Sequence, residues 1–282
     1  MGLGGVITAM VTPFDEQGRV DEDAFVRLLH HLLEHGSDGV VVAGTTGESP
    51  TLTDEEKLRL FELAVAESGD ALVIAGTGSN DTAHSVHLTE QATEIGVDAV
   101  LVVTPYYNKP NRRGIKAHFT EVARATDRPV VVYNIPGRCV IDIPDDLLRE
   151  LAEIPNIAAV KQARMTDINP IEGLDLLAGN DETLAATLDA GGTGGILVAS
   201  HIVGEEMRRM IDEPERRHEI HESLTDLFAA LSVTTNPIPV KAALRLLGHD
   251  VGGLRLPLVE ASEDELAVIR AALERHGLLS AV

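Results

Sequence analysis

Lys161 closes an otherwise apolar run, Ile157-Ala158-Ala159-Val160. Burying an ammonium group there is unfavourable unless the charge is paired or the proton is given up. A neutral lysine attacks carbonyl carbon and forms a Schiff base. A free lysine, of pKa about 10.4, is neutral in only about one molecule in 2,500 at pH 7. Bringing that pKa to about 7 to 8 takes roughly 3 to 5 kcal/mol of desolvation or cationic influence, which an apolar site supplies. The competing reading is a structural lysine paired with a buried carboxylate. Lys241, in Pro239-Val240-Lys241-Ala242-Ala243, is the other apolar-flanked lysine; it falls on a C-terminal helix and reads as structural.

Making and dehydrating a carbinolamine requires a group that moves protons above the amine. Tyr133, at the end of the preceding apolar run, is placed for it. Thr45 or Thr46 can relay the proton, and the backbone N–H groups there can hold a substrate carboxylate. Arg138, in a Pro-Gly turn after Tyr133-Asn134, can present its fork to a second carboxylate. The three tyrosines, Tyr106, Tyr107 and Tyr133, all fall at ends of apolar runs in a chain with only 3% aromatic residues. Gly191-Gly192-Thr193-Gly194-Gly195 looks like a phosphate cradle but precedes a strand, so it reads as a helix terminus. The pairs His84/His87 and His218/His221 have helical spacing but no carboxylate completing a metal-binding pattern, so no metal is expected.

These residues need a scaffold that brings strand ends together. Eight short apolar runs serve as strands, at 5–13, 38–44, 71–77, 98–105, 129–134, 157–162, 175–180 and 194–200. Their near-continuous hydrophobicity suits parallel strands covered on both faces. Amphipathic stretches between them, at 21–36, 53–70, 80–96, 112–126 and 144–155, predict helices. Thr53 with Glu56 predicts a capping box, and Asn80 and Asp181 suit N-cap positions. Eight strand-helix units predict an α/β fold of the (β/α)8 TIM-barrel type over residues 1–212, with the candidate residues at the C-terminal strand ends where such barrels carry their sites. A doubly wound open sheet is the alternative, but the first turn, TPFDEQG, lacks its Gly-rich signature. Three further helical stretches, near 215–232, 238–247 and 262–276, predict a C-terminal helical extension over 213–282.

The 282 residues carry 45 acidic against 23 basic side chains, a net charge of -22. Such a surface repels phosphate backbones and anionic lipids, so nucleic-acid and membrane partners are not expected. The excess fits a salt-rich interior or simply a highly charged surface. No apolar run reaches the roughly 18 residues of a membrane helix, and Val6 stands where a myristoylation signal needs Ser or Thr. The single cysteine, Cys139, excludes an intramolecular disulfide and fits a reducing cytoplasm.

At these residues the chain resembles the dihydrodipicolinate synthase / N-acetylneuraminate lyase family of pyruvate-dependent class I aldolases. The resemblance spans nearly the whole chain, from Gly5-Val6-Ile7-Thr8-Ala9-Met10-Val11-Thr12-Pro13 through Gly44–Glu48, Gly76-Thr77-Gly78, Thr104–Asn108 and Tyr133–Arg138 to Asn236-Pro237-Ile238-Pro239-Val240-Lys241. It implies that Lys161 forms the imine with pyruvate, that Tyr133, Thr45 and Tyr107 form a proton relay, and that Thr46 helps bind the pyruvate carboxylate. No cofactor is implied, since pyruvate is a substrate held on Lys161. Thr45-Thr46 and Arg138 resemble the branch that condenses pyruvate with aspartate semialdehyde on the way to diaminopimelate and lysine, with the arginine on the semialdehyde carboxylate. Cys139 stands where that branch usually has threonine, and Gln162 where it usually has glutamate. The alternatives are a sugar-acid aldolase of the same family and a catalytically silent binding relative.

The resemblance also implies a homo-oligomer, a dimer or a tetramer built as a dimer of dimers, in which Tyr107 reaches the neighbouring site. Lysine-inhibited members hold lysine in a pocket to which Ser49, Asn80 and Tyr106 would contribute here. His84 stands where those members usually have glutamate, and Asp54 and Lys57 where they often have histidines. The implied feedback by lysine is therefore weak or absent.

Overall fold

Each β-branched run forms a strand, and all pairings between them are parallel. In the computed structural model, which describes residues 2–280, the strands are β1 (Gly5–Ala9), β2 (Gly39–Val42), β3 (Leu72–Gly76), β4 (Ala99–Val103), β5 (Val130–Asn134), β6 (Ile157–Gln162), β7 (Asp175–Ala178) and β8 (Gly194–Leu197). Each pairs with the next and β8 pairs with β1, so the sheet closes into an eight-stranded barrel. With no free edge and helices outside, both faces of every strand are buried, which accounts for the unbroken hydrophobicity of the runs.

Alternation along each strand divides the core in two. Val130 and Val132 of β5 point outward into the layer beneath the helices, while Val131 and Tyr133 point inward with Ile7, Val41, Ile74, Leu101, Ala159, Leu177 and Ile196. Inward residues at the C-terminal strand ends therefore meet at the mouth of the barrel.

The outer layer comprises α1 (Glu22–Glu34), α2 (Asp54–Glu67), α3 (Thr82–Ile95), α4 (Arg112–Arg124), a single turn α5 (Pro136–Cys139), α6 (Asp145–Ala152), α7 (Leu184–Asp189) and α8 (Ser200–Asp212). The Thr53–Glu56 capping box of α2 forms as expected. Asn80 is not a cap: Asp81 occupies that position on α3 and accepts from the Ala83 N–H. Asp181 does not cap a helix either; its carboxylate turns to the far end of β8 instead. The expectation of eight strand-helix units also fails at one place. Residues 163–174, between β6 and β7, contain no helix. Pro170 and Gly173 disfavour one there, and Arg164 pins the segment by bonding Asp142, Asp145 and the Ile143 carbonyl. Gly191, at φ 91°, follows the last turn of α7, the helix-terminating role expected of the glycine run.

The expected C-terminal helices are α9 (Arg217–Leu231), α10 (Ile238–Leu246) and α11 (Glu263–Arg275). They pack on one another and on α8. Among the described residues no helix is long and apolar enough to cross a membrane.

Candidate active site

Lys161 and Tyr133 are direct register partners on β6 and β5. Both follow inward-facing residues by the two-residue repeat, so both side chains enter the barrel mouth, where each is about 5% exposed. Lys161 Nζ lies 4.1 Å from the centroid of the Tyr133 ring. Burial drives the lysine pKa down to about 7; Asp181 pulls it up and Arg138 pushes it further down. No carboxylate forms an ion pair with Lys161 among the described residues, so the structural alternative of a paired buried lysine does not hold. Asp181 is the carboxylate whose charge acts on the lysine without pairing. Its Oδ1 accepts the N–H groups of Val198 and Ala199 at 2.9 and 3.1 Å, and burial raises its pKa to about 6.

The same burial raises the Tyr133 phenol to about 12, with Arg138 and the Thr45 hydroxyl drawing it back. The phenol therefore keeps its proton at neutral pH and can donate it. Thr45, Tyr133, Arg138 and Cys139 line one cavity of about 610 Å³ at the C-terminal end of the strands. Lys161 is not among the lining residues; its amine lies behind the cavity wall against the Tyr133 ring. A partly neutral amine next to a protonated phenol, with a cation on the cavity wall, is the set of groups that imine chemistry on a carboxylated ketone requires.

The loop after β2 that carries Thr45 and Thr46 is held tightly. Gly76 leaves room for it, since a Cβ there would lie 2.4 Å from the Ala43 carbonyl oxygen. Glu48 sits at φ 57°, a strained position for a side-chain-bearing residue. Its carboxylate pairs with Lys241 Nζ at 2.7 Å and accepts the Arg255 N–H at 3.0 Å. Lys241 is fully buried and also donates to the Gly253 carbonyl at 2.7 Å, which confirms the structural reading of this second lysine. Thr46 is buried, and its Oγ1 accepts from Asn236 Nδ2 at 2.9 Å. Arg138, on α5, is exposed; its Nη2 donates to the Asn236 carbonyl at 3.1 Å.

Of the two unusual residues, Gln162 faces away from the site, accepting from Asn134 Nδ2 at 2.9 Å on the outer side of the barrel. Cys139 does line the cavity. Its thiol donates to the Thr104 carbonyl at 3.2 Å, and burial raises its pKa to about 11.

The cavity extends outward past Ser49, Asp54, Lys57, Asn80, His84 and Tyr106. There Asp54 lies 2.9 Å from His84 Nε2 and 3.5 Å from Lys57 Nζ. Tyr106 thus belongs to its own chain's cavity. Tyr107 does not: it is 89% exposed, with φ at 71°.

Residues 2–276 match the model of the dihydrodipicolinate synthetase family. The chain belongs to this family. Among curated members, the 4-hydroxy-tetrahydrodipicolinate synthase of Heliobacterium modesticaldum is 46% identical over 99% of this chain and 97% of its own length. That of Bacillus subtilis is 46% identical, covering 94% of this chain and 96% of its own. Among solved structures, the dihydrodipicolinate synthase of Aquifex aeolicus superposes with a TM-score of 0.95 at 41% identity, over 99% of this chain and 100% of that one. The enzyme of Cyanidioschyzon merolae, solved with lysine bound, gives 0.94 at 43% identity, over 98% and 99%.

The fold thus brings together Lys161, Tyr133, Thr45 and Arg138, with Thr46 behind them, and leaves Tyr107 outside. Two neighbours of the site were missed. Asp181 follows the end of β7 by three residues, so the strand-end rule that selected the other candidates would have found it. Asn236 comes from outside the barrel, and no strand-end rule reaches it.

Proposed function

We propose that this dihydrodipicolinate synthetase family member is a lyase of the class I aldolase type that condenses pyruvate with aspartate semialdehyde to 4-hydroxy-tetrahydrodipicolinate. The observation that carries the reading is Lys161: buried, unpaired, with a pKa lowered to about 7 and set against Tyr133. Its neutral amine attacks the pyruvate ketone. Tyr133, with Thr45 beside it, delivers the proton with which the carbinolamine loses water to give the imine. Loss of a methyl proton then gives an enamine that adds to the semialdehyde carbon. The semialdehyde's own amino group finally displaces Lys161, closing the ring and freeing the enzyme. Thr46 takes the pyruvate carboxylate, and Arg138 at the mouth takes the semialdehyde carboxylate. None of these steps asks for a metal or a cofactor.

Tyr107 completes the relay of a neighbouring copy. An aromatic residue in a left-handed backbone conformation and 89% exposed has nothing to pack on in its own chain, which a partner across a two-fold would provide. One relative, 38% identical over 98% of this chain and 97% of its own with a TM-score of 0.94, is described as the first monomeric dihydrodipicolinate synthase variant, so assembly is the norm it departs from. A dimer at least, or a tetramer formed by two, working in the cytoplasm fits this reading.

The test is product formation with defined substrates. Pyruvate with aspartate semialdehyde is expected to turn over, and Lys161→Arg to abolish turnover while remaining folded. Arg138→Ala is expected to weaken semialdehyde turnover by about 10²-fold or more while sparing imine formation with pyruvate. Equal turnover of a neutral sugar aldehyde would move the assignment to a sugar-acid aldolase, and no imine with pyruvate would leave only a binding role.

A further inference from the structure

Asn236 belongs to the connection between α9 and α10, yet it touches both residues assigned above to carboxylate binding. Its Nδ2 donates to Thr46 Oγ1 and its backbone carbonyl accepts from Arg138 Nη2. A threonine hydroxyl has one proton to give and two lone pairs with which to receive. With an amide N–H on a lone pair, Thr46 keeps its own proton for a different acceptor. The contact to Asn236 is the one side-chain hydrogen bond of Thr46 among the described residues. Thr46 is 3% exposed, so bulk water offers that proton little, and a buried O–H without an acceptor is unfavourable. Asn236 Oδ1 is itself buried without a donor.

We propose that Asn236 is a positioning residue for the substrate carboxylate. It sets the polarity of Thr46, so that the hydroxyl donates into the site, and its main chain steadies the Arg138 fork at the mouth. The inference rests on the reading of Thr46 and Arg138 as carboxylate binders. It makes the C-terminal helical layer part of the site: the connection before α10 orients Thr46, while Lys241 on α10 and Arg255 beyond it hold Glu48 two residues further on.

Asn236→Asp replaces an amide NH2 by an oxygen with little change of shape and leaves the backbone contact to Arg138 in place. A carboxylate can only accept, so it takes the Thr46 proton and turns the hydroxyl's lone pairs towards the substrate carboxylate. The pyruvate dissociation constant, read from the concentration dependence of borohydride trapping, is expected to rise about tenfold or more. Protonating the new carboxyl restores a donor, so the defect relative to the unaltered enzyme should shrink as the pH is lowered from about 8 to about 5.5. Asn236→Ala removes the donor without adding an acceptor and is expected to weaken pyruvate binding by only about two- to threefold, with no recovery at low pH.

Unchanged pyruvate affinity in Asn236→Asp, or a defect of equal size at every pH, overturns the proposal. Should that variant not fold, unchanged affinity in Asn236→Ala overturns it as well. Thr46→Val separates the two levels. If it binds pyruvate like the unaltered enzyme, the role given to Thr46 fails; if it binds weakly while Asn236→Asp does not, only the role of Asn236 fails.

Discussion

Lys161 Nζ stands 4.1 Å from the centroid of the Tyr133 ring, across two strands in which the residues are direct register partners. One apolar environment acts on both groups in opposite senses. It penalises the ammonium and lowers Lys161 to about 7, and it penalises the phenolate and raises Tyr133 to about 12. The uncharged form is favoured in each case, which yields a nucleophile and a proton donor side by side near pH 7.

Imine formation should therefore follow the neutral fraction of Lys161. Borohydride trapping of pyruvate is expected to rise through about pH 7 and level off above it, with the adduct on Lys161 in a tryptic map. The neighbouring charges fix the direction in which variants move this limb. Arg138→Ala removes a cation that disfavours the ammonium, so the limb shifts to higher pH; Asp181→Asn removes an anion that favours it, so the limb shifts to lower pH. An adduct elsewhere, or shifts of the opposite sign, would end this account of Lys161.

The barrel was legible because covering both faces of a parallel sheet forces unbroken apolar strands, and Lys161 was legible because it breaks one of them. Tyr133, Thr45 and Arg138 followed from the rule that strand ends carry the site. Periodicity does not say which of two adjacent tyrosines turns out of the chain; the backbone at Tyr107 decides that, leaving Tyr106 in the cavity. Asn80 does not cap α3 because its neighbour Asp81 is equally suited and takes the position; Asp181 does not cap because a residue suited to an N-cap is equally suited to other N–H groups, and only the fold shows that it faces the end of β8. Asn236 was illegible as a site residue because its role depends on a helical layer folding back over β2.

The buried Glu48–Lys241 pair holds the loop that carries Thr45 and Thr46. Glu48→Gln or Lys241→Met leaves the remaining charge buried and uncompensated, at a cost of about 3 to 5 kcal/mol. For a chain of this size the melting temperature should fall by about 10 °C. The double variant should lose less than the two singles added together, because neither charge is left stranded. Thermal unfolding of the three variants measures this; strictly additive losses would show that the pair does not act as a unit.

Free lysine is expected to inhibit weakly or not at all. Of the two carboxylates lining the outer arm of the cavity, Asp54 already faces both His84 and Lys57 and Asp81 caps α3, while Lys57 is 7% exposed. An incoming ammonium would meet a like charge at Lys57 and carboxylates already engaged elsewhere, each unfavourable. His84→Glu supplies a further carboxylate and should increase whatever inhibition lysine exerts. Half inhibition of the unaltered enzyme by sub-millimolar lysine would contradict this reading.

A site completed between two chains predicts complementation. Tyr107→Phe chains retain Lys161 but lend no hydroxyl, and Lys161→Ala chains lend the hydroxyl but cannot form the imine. In a mixed dimer one of the two sites receives an intact Tyr107 opposite an intact Lys161, because a two-fold interface exchanges the same residues reciprocally. Equal random mixing makes about half of the dimers hybrid, so about a quarter of the unaltered activity should return from two impaired preparations. The net charge of -22 per chain opposes association, so subunit exchange and assembly should be followed across ionic strength, with larger assemblies favoured as salt screens the repulsion. Hybrid dimers that form without recovering activity would place Tyr107 in the service of its own chain, or of none.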